Sequence, residues 1–416
     1  MTGRGIIIKT RYLPGLFLAA IAILMMFAPY HGDSTLGGNW VRNAIVYSSY
    51  VLLAISVLLS VPIIKKEGIR YSSVLFIVPA VIAFIMNVFL NYGDTNASRL
   101  VLLSWITFCL LPKDVQLRAF EIFKKIWVVI CIVGIFCYAC YIFGLPVPYQ
   151  IVAYYFGSSN LHYISYGISF IYDSGNSLRL CGICNEPGYF GTFCALILCA
   201  ENLNLKKVSN IIMLIAGFLT FSVAFMLLLV IYIIIKILYA AFKNKNLGKK
   251  ILLYIVAVGI IFSYIIVLPN IKFGNKMIDN AIQRTVLTSE GISGDDRTSK
   301  EFDELYASTP VEELIFGKGR GYVKANNVGS NLSYKVFVIE YGVIGCVLIW
   351  GTLLMAALHE NTKIKTIVIF IVIFFISIYQ RPSIITLPYL LVLIGGIQYL
   401  KLDYNNKVLA MENVRK

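Results

Sequence analysis

The chain has 416 residues, of which 59% are hydrophobic and only 14% are charged, and its mean hydropathy is +0.79. An ordinary soluble domain has about a quarter charged residues, so this composition excludes that class and predicts an integral membrane protein. The formal net charge of +15 follows the pattern of a membrane topology signal, and we expect no nucleic-acid partner.

Apolar segments long enough to cross about 30 Å of hydrocarbon recur along the chain, and they predict an all-α polytopic fold of about twelve transmembrane helices. We expect one membrane domain over residues 1–416, with no cleaved signal peptide, because no small-residue cleavage site follows the first span. The 208–242 run is too long for one helix, and Thr220-Phe221-Ser222 is the expected break. The predicted spans are 13–29, 44–64, 72–90, 99–112, 126–144, 187–202, 208–222, 224–242, 251–269, 334–357, 364–379 and 384–400.

The distribution of lysine and arginine predicts the orientation. If the N-terminus is cytoplasmic, the inner segments hold 23 of the 36 basic residues, and nine lie on or beside the long loop at 270–333. The short outer loops hold only Arg42, Arg99, Arg179 and Arg381. By the positive-inside rule both termini are cytoplasmic and the long loop, between spans 9 and 10, lies outside.

Two outer loops carry the candidate functional residues, because threading alone needs only short connections. The first loop, 145–186, is rich in tyrosine and leads through Arg179 into Asn185-Glu186-Pro187-Gly188-Tyr189. That sequence has a structural interpretation in which Asn185 caps a helix, Glu186 lies in its first turn and Pro187 is tolerated there. A functional role for the neighbouring Arg179 and Glu186 remains open beside it. Cys181 and Cys184 are close enough in sequence to form a disulfide.

The second loop, 270–333, contains Arg284, Arg297 and the run Gly317-Lys318-Gly319-Arg320-Gly321. Glycines with interspersed cations allow backbone N–H groups and side chains to meet an anion, although the spacing is not that of a P-loop. The chain then continues through Glu340-Tyr341-Gly342-Val343-Ile344-Gly345. A carboxylate within a span, such as Glu340, is a functional candidate.

The remaining motifs narrow the chemistry. The sequence has three histidines, and we find no outer cluster of His and carboxylates with metal-ligand spacing, so we expect neither a metal nor a cofactor. We also find no nucleophile elbow, no zinc-protease motif and no nucleotide-binding loop. The predicted spans are nearly free of ionisable residues, which disfavours proton-coupled transport.

In this arrangement the chain resembles the O-antigen and capsule repeat-unit polymerases (the Wzy type), which form a superfamily with O-antigen ligases. The resemblance rests on four features in order: Arg179 through Gly188, the break at Thr220-Phe221-Ser222, Arg297 followed by Gly317–Gly321, and Glu340 to Gly345. It covers about residues 175–350 by motif. Many members have an arginine directly after the serine, where this chain has Val223.

The resemblance implies a glycosyltransferase of a bacterial cytoplasmic (inner) membrane that acts on undecaprenyl-diphosphate-linked oligosaccharides. The growing glycan is transferred to a hydroxyl of the next lipid-linked unit at the outer face, and a chain-length regulator protein is a possible partner besides the lipid bilayer. Glu186 is then the expected base, with Arg179 and Arg297 as catalytic cations. The predicted substrate-binding residues are Arg320, Arg284, Glu340, Tyr189 and Asn185.

Two other functions remain open. O-antigen ligases transfer finished glycan to lipid A core and usually place a histidine after the Gly-x-Gly of the long loop, whereas residues 322–328 here contain none. A flippase or transporter of the same lipid-linked sugar is expected to have a charged central cavity and related halves. We find neither in the sequence, so the polymerase is the favoured hypothesis.

Overall fold

The computed structural model of the protein describes most of the chain, and the fold is given for those residues alone. They are 10–28, 33–34, 38–90, 96–156, 159–173, 177–243, 246–262, 270–272, 274, 276–283, 287–288, 291–292, 299–326, 333–359, 361 and 363–415.

Up to residue 142, the described residues form five α-helices. A short 3-10 turn, Thr10–Tyr12, precedes α1, in which a proline at the first turn is tolerated because its missing N–H has no helical partner there. The helices are α1 (Leu13–Met26), α2 (Gly38–Glu67), α3 (Tyr71–Phe89), α4 (Asn96–Leu110) and α5 (Lys113–Ile142).

The outer loop predicted at 145–186 is a β-sheet. Five strands pair antiparallel in sequence order, with Val152 opposite Tyr163 and Ile164 opposite Ile171. The strands are β1 (Asp33–Ser34), β2 (Gln150–Phe156), β3 (Ser159–Ser165), β4 (Phe170–Asp173) and β5 (Leu178–Gly182). The predicted helical class therefore holds for the apolar segments, and the sheet is an addition that the sequence analysis missed.

The second half of the chain returns to helices and includes the described part of the long loop. Two paired strands of two residues each, Leu287–Thr288 and Gly291–Ile292, lie between the helices Lys276–Gln283 and Lys300–Ser308. A π-helical stretch, Val347–Gly351, follows the helix Tyr334–Cys346, and a 3-10 turn, Ser377–Tyr379, follows the helix Lys365–Ile376. The helices are α6 (Pro187–Ala200), α7 (Val208–Leu219), α8 (Val223–Lys243), α9 (Leu247–Phe262), α10 (Lys276–Gln283), α11 (Lys300–Ser308), α12 (Val311–Phe316), α13 (Tyr322–Ala325), α14 (Tyr334–Cys346), α15 (Thr352–Leu358), α16 (Lys365–Ile376) and α17 (Leu387–Arg415).

Each predicted span overlaps a helix within its described residues, although the ends differ. Among the described residues, five helices are long and apolar enough to cross a membrane: Trp40–Glu67, Tyr71–Phe89, Lys113–Ile142, Val223–Phe242 and Tyr334–Leu358. The protein is accordingly a helical membrane protein, and the number of twelve spans stays a prediction.

The core surrounds the short helix α6, which packs against α7, α8, α16 and α17. Thirteen of its 14 residues are buried, and Tyr189 is the exception. A helix that is apolar on every side is typical of a position enclosed by other helices. A carboxylate lies at each end of α6. Glu186 precedes the helix, and Glu201 follows it and pairs with Lys124 and Lys207.

Segments predicted to share one side of the membrane meet at the same end of the bundle. Arg11 pairs with Glu67 at the end of α2 (2.5 Å) and with Asp114 at the start of α5 (3.0 Å). At the opposite end, the backbone N–H of Ala28 donates to the carbonyl of Ile183 (2.8 Å). These contacts group the segments predicted to be cytoplasmic at one end of the bundle and the segments predicted to be outside at the other. Which end faces the cytoplasm stays a prediction.

Candidate functional site

The candidate site begins where the sheet passes into α6. Glu186 is the N-cap residue of α6, and Pro187 follows it, so the predicted positions of a capping Asn185 and a first-turn Glu186 are wrong by one residue. The Glu186 side chain makes no capping hydrogen bond. Its carboxylate instead forms an ion pair with Arg381. Asn185 contributes its backbone carbonyl, which accepts a hydrogen bond from the Tyr163 hydroxyl (2.5 Å).

Arg381 is the residue of this site that sequence reasoning missed. Its side chain is only 7% exposed, whereas that of Glu186 is 34% exposed. The guanidinium also lies over the ring of Tyr189, with 5.9 Å from its central carbon to the ring centroid. Its Nε is buried and has no hydrogen-bond partner within the described part of the chain. A signal was present, because Arg381 is one of four basic residues in the short outer loops, where topology requires none.

Arg179 supports the break between α7 and α8. Its Nε donates to the carbonyl of Thr220 (2.9 Å) and its Nη2 to that of Phe221 (3.4 Å). Phe221 has a φ of +44°, a left-handed conformation that is strained for a bulky side chain. The predicted break is therefore confirmed. The Arg179 guanidinium, which is always charged, stabilises it by donating to two backbone carbonyls.

The two glycine-containing motifs of the long loop and of α14 meet in the structure. The backbone N–H of Lys318 donates to the carbonyl of Ile339 (2.7 Å), and that of Gly319 donates to the carbonyl of Glu340 (2.9 Å). Gly317 and Gly342, with φ of +83° and +71°, allow this approach. A Cβ on Gly342 would lie 2.3 Å from the carbonyl oxygen of Ile315, a distance that no side chain can adopt.

Glu340 holds the end of the glycine run through its side chain. Its Oε1 accepts a hydrogen bond from the backbone N–H of Gly321 (2.8 Å). The backbone N–H of Arg320 donates to the carbonyl of Leu90 at the end of α3 (2.6 Å), which ties the run to a second helix. Glu340 is thus a structural support for the loop that carries Arg320.

Arg320 and Glu340 line a cavity of about 260 Å³ between α3, α4, α14 and the segment 382–386. One part of its wall is apolar, from residues such as Phe84, Leu102 and Phe337. The polar part includes Asn87, which accepts a hydrogen bond from the Tyr341 hydroxyl (2.6 Å). The further lining residues are Ala80, Ala83, Val101, Ser333, Val336, Tyr341, Pro382, Ser383, Ile385 and Thr386.

The segment 381–386 connects the cavity with the Glu186 pair. Arg381 bonds Glu186, and the next residue, Pro382, already lines the cavity. Thr386 lines it as well, and its buried Oγ1 has no hydrogen-bond partner among the residues that are described. A buried polar atom without a partner costs about 1–3 kcal/mol, so this wall is suited to a polar ligand.

Lys318, the other cation of the glycine run, is occupied by a carboxylate. Its Nζ pairs with Glu313 (2.6 Å) and lies 4.8 Å from the centroid of the Tyr322 ring. The hydrogen bond that the Lys318 ammonium donates to the Glu313 carboxylate is the main reason that the pKa of Lys318 is raised above its ordinary value. Of the two cations in the run, Arg320 is therefore the one that faces the cavity.

No family model, curated protein or solved structure matches this chain. The resemblance to the repeat-unit polymerases accordingly rests on the sequence motifs and stays a prediction.

The other predicted site residues have different outcomes. Arg284 and Arg297 lie outside the described residues, so their roles stay predictions. Cys181 and Cys184 are buried free thiols, and the possible disulfide does not form in the structure. Within the described ranges, no three His, Cys, Asp or Glu side chains are grouped in a way that could hold a metal ion.

Proposed function

We propose that the protein polymerises lipid-linked oligosaccharide repeat units at the outer face of a bacterial cytoplasmic membrane. The observation that carries this proposal is the cavity between α3, α4 and α14, which combines an apolar wall with Arg320 and adjoins the Arg381–Glu186 pair. Undecaprenyl diphosphate consists of a long apolar chain attached to an anionic diphosphate. A site that binds it therefore needs an apolar surface for the chain and a cationic group for the diphosphate.

The reaction requires a base for the acceptor and cations for the leaving group. The acceptor hydroxyl oxygen bonds to the anomeric carbon of the growing glycan, the bond from that carbon to the phosphate oxygen breaks, and undecaprenyl diphosphate leaves. In this proposal Glu186 is the base that accepts the proton of the acceptor hydroxyl. Its ion pair with Arg381 stabilises the anionic form of the carboxylate. The partial exposure of Glu186 leaves room for the acceptor to reach it.

We assign to Arg320, which lines the cavity, the role of stabilising the departing diphosphate. At an effective dielectric constant near 20, a cation about 4 Å from a unit anion contributes about 4 kcal/mol before desolvation. Arginine is suited to this role because its planar fork binds two phosphate oxygens at once. Arg297 remains a second candidate, and Arg179 has the structural contacts described above in addition to its predicted role.

The proposal predicts that loss of the protein leaves envelope glycan capped with a single repeat unit, which gel electrophoresis of glycan from a deletion strain measures. Complementation with Glu186→Gln should fail to restore long chains at matched membrane levels, whereas Glu313→Gln should restore them. Glu313 is the matched control because it is an ion-paired carboxylate of the same predicted face, outside the cavity.

Three outcomes would contradict the proposal. Long chains in the deletion strain would exclude a polymerase. Long chains on the lipid carrier with none on lipid A would indicate the ligase, and repeat units that accumulate on the cytoplasmic face would indicate a flippase.

A further inference from the structure

The sequence contains no charged residue for a long distance past the end of α5. Between Lys125 and Asp173, 47 consecutive residues include no Lys, Arg, Asp or Glu. The helix itself ends at Ile142, so 30 of these residues, 143–172, follow it. A segment of that length in an ordinary soluble domain has about seven charged residues, a quarter of its length. The composition therefore indicates that part of this segment contacts something other than water.

Part of the segment is both apolar and exposed, so burial inside the protein does not account for the composition. Phe143 and Leu145, in the connection between α5 and β2, are 76% and 49% exposed. Ile151, near the start of β2, is 71% exposed, and Ile168, in the turn between β3 and β4, is 60% exposed. Large apolar side chains that are exposed together are typical of a surface that contacts a partner or a membrane.

Aromatic contacts bring these residues together in space. The centroid of the Tyr149 ring lies 5.5 Å from that of Tyr141, in α5. It also lies 5.9 Å from the ring centroid of Tyr166, which begins the turn between β3 and β4. The connection 143–151 and the turn residues 166–168 therefore form one surface, which we call the rim.

The rim continues the outer surface of a helix that is able to cross a membrane. Lys113–Ile142 is one of the five described helices with sufficient length and apolar composition. Val129, Ile132 and Phe136 are exposed on one face of this helix at helical spacing. Phe143 follows on the same face, because it lies two helical turns after Phe136. The apolar surface thus passes from the helix to the rim with no charged residue between them.

We propose that the rim lies in the headgroup region of the adjacent membrane leaflet, with its apolar side chains at the boundary to the acyl chains. Tyr149 fits this level, because tyrosine is enriched at membrane–water interfaces. A deeper position is disfavoured by the backbone. Among the described residues, β2 pairs with β1 only at Tyr154 and Tyr155, and an open strand edge is not tolerated in hydrocarbon. The orientation predicted from the basic residues makes this the outer leaflet, and the inference does not depend on the proposed polymerase activity.

The test uses the full-length protein with one introduced cysteine, labelled with an environment-sensitive fluorophore and reconstituted in vesicles of phosphatidylethanolamine and phosphatidylglycerol. All nine native cysteines are buried, so the unsubstituted protein should take up little label and gives the background. Labels at Leu145→Cys and Ile168→Cys should lose most fluorescence to lipids that carry a nitroxide near the headgroup. The label at Phe136→Cys, on the exposed face of α5, should lose most to lipids that carry it at mid-chain.

Ala307→Cys is the control in contact with water. Ala307 is exposed in the helix Lys300–Ser308, in which four of the nine residues are charged. Its label should be quenched mainly by iodide in the aqueous phase. Labels at Leu145 and Ile168 that iodide quenches as strongly as the Ala307 label would overturn the proposal. Labels that neither quencher reaches would also overturn it, because another protein surface would then cover the rim. Mid-chain quenching equal to that at Phe136 would place the rim in the hydrocarbon core and contradict the interfacial assignment.

Discussion

At the scale of single residues, the site depends on a buried arginine whose partner is distant in the chain. Arg381 is almost fully enclosed, and its contacts with Glu186 and the Tyr189 ring stabilise the charge there. Removing one partner of a buried pair is costly because it leaves the other charge without compensation. This dependence makes the pair testable by stability as well as by activity.

We predict that Arg381→Gln lowers the free energy of unfolding by about 2 kcal/mol, less than the loss for a fully buried pair because Glu186 is partly exposed to water. Arg99→Gln, at an exposed arginine predicted to lie in an outer loop, should change it little. Urea unfolding in detergent measures both. The double variant Glu186→Gln/Arg381→Gln should recover part of the stability without recovering glycan polymerisation. Strictly additive losses would show that the two side chains do not interact.

At the scale of elements, the contact between the glycine run and α14 decides where Arg320 lies. Gly317 and Gly342 approach each other so closely that the backbones touch, and hydrogen bonds from Lys318 and Gly319 fix the register. Glu340 then binds the last glycine of the run. A loop held at its start, middle and end by one helix can present Arg320 to the cavity in a defined position.

We predict that Gly342→Ala destabilises this contact, because its φ of +71° disfavours a side chain and the new Cβ would clash with the Ile315 carbonyl. Strain of this kind costs about 1–3 kcal/mol before the clash is counted. Gly351→Ala is the matched control, since it lies in the same long helical region with its nearest neighbour at 4.0 Å. Thermal unfolding and proteolysis of the long loop should distinguish the two variants. Equal melting temperatures would mean that the contact does not form.

At the scale of the whole molecule, the bundle has two chemically different ends. One end holds Arg11, Lys124 and Lys207 with their acidic partners, and the other holds the sheet, the described part of the long loop and the candidate site. The positive-inside rule assigns the first end to the cytoplasm. On this predicted orientation, the proposed polymerase site lies at the outer face of the membrane.

We predict that reporter fusions at Lys249 and Ser293 give opposite signals, with Lys249 cytoplasmic and Ser293 outside. The physical reason is the excess of lysine and arginine in the segments grouped with Lys249. A phosphatase and a fluorescent reporter, each fused at both positions, provide reciprocal readouts and control for expression. The same sign at both positions would contradict the topology and, with it, access of the cavity to the outer face.

Local patterns in the sequence determined the class of protein, the positions of the helices and the break at Thr220. Apolar length and charge distribution act over one segment at a time, so they can be read without knowing what the segment packs against. The sheet was also accessible from local pattern, because 150–156 is rich in β-branched and aromatic residues and is followed by a Gly-Ser pair. The segment was instead predicted to be part of an outer loop.

Only the tertiary structure decided which residues meet. The pairing of Arg381 with Glu186, the approach of Gly317 to Gly342 and the brace from Arg179 to Thr220 each join segments that are remote in the chain. No local pattern specifies such partners, since an arginine at the end of a span is compatible with water, lipid phosphate or any carboxylate. The packing of the helices around α6 buries Arg381, so that its side chain is kept from water and from lipid phosphate. Glu186 is the carboxylate with which it pairs.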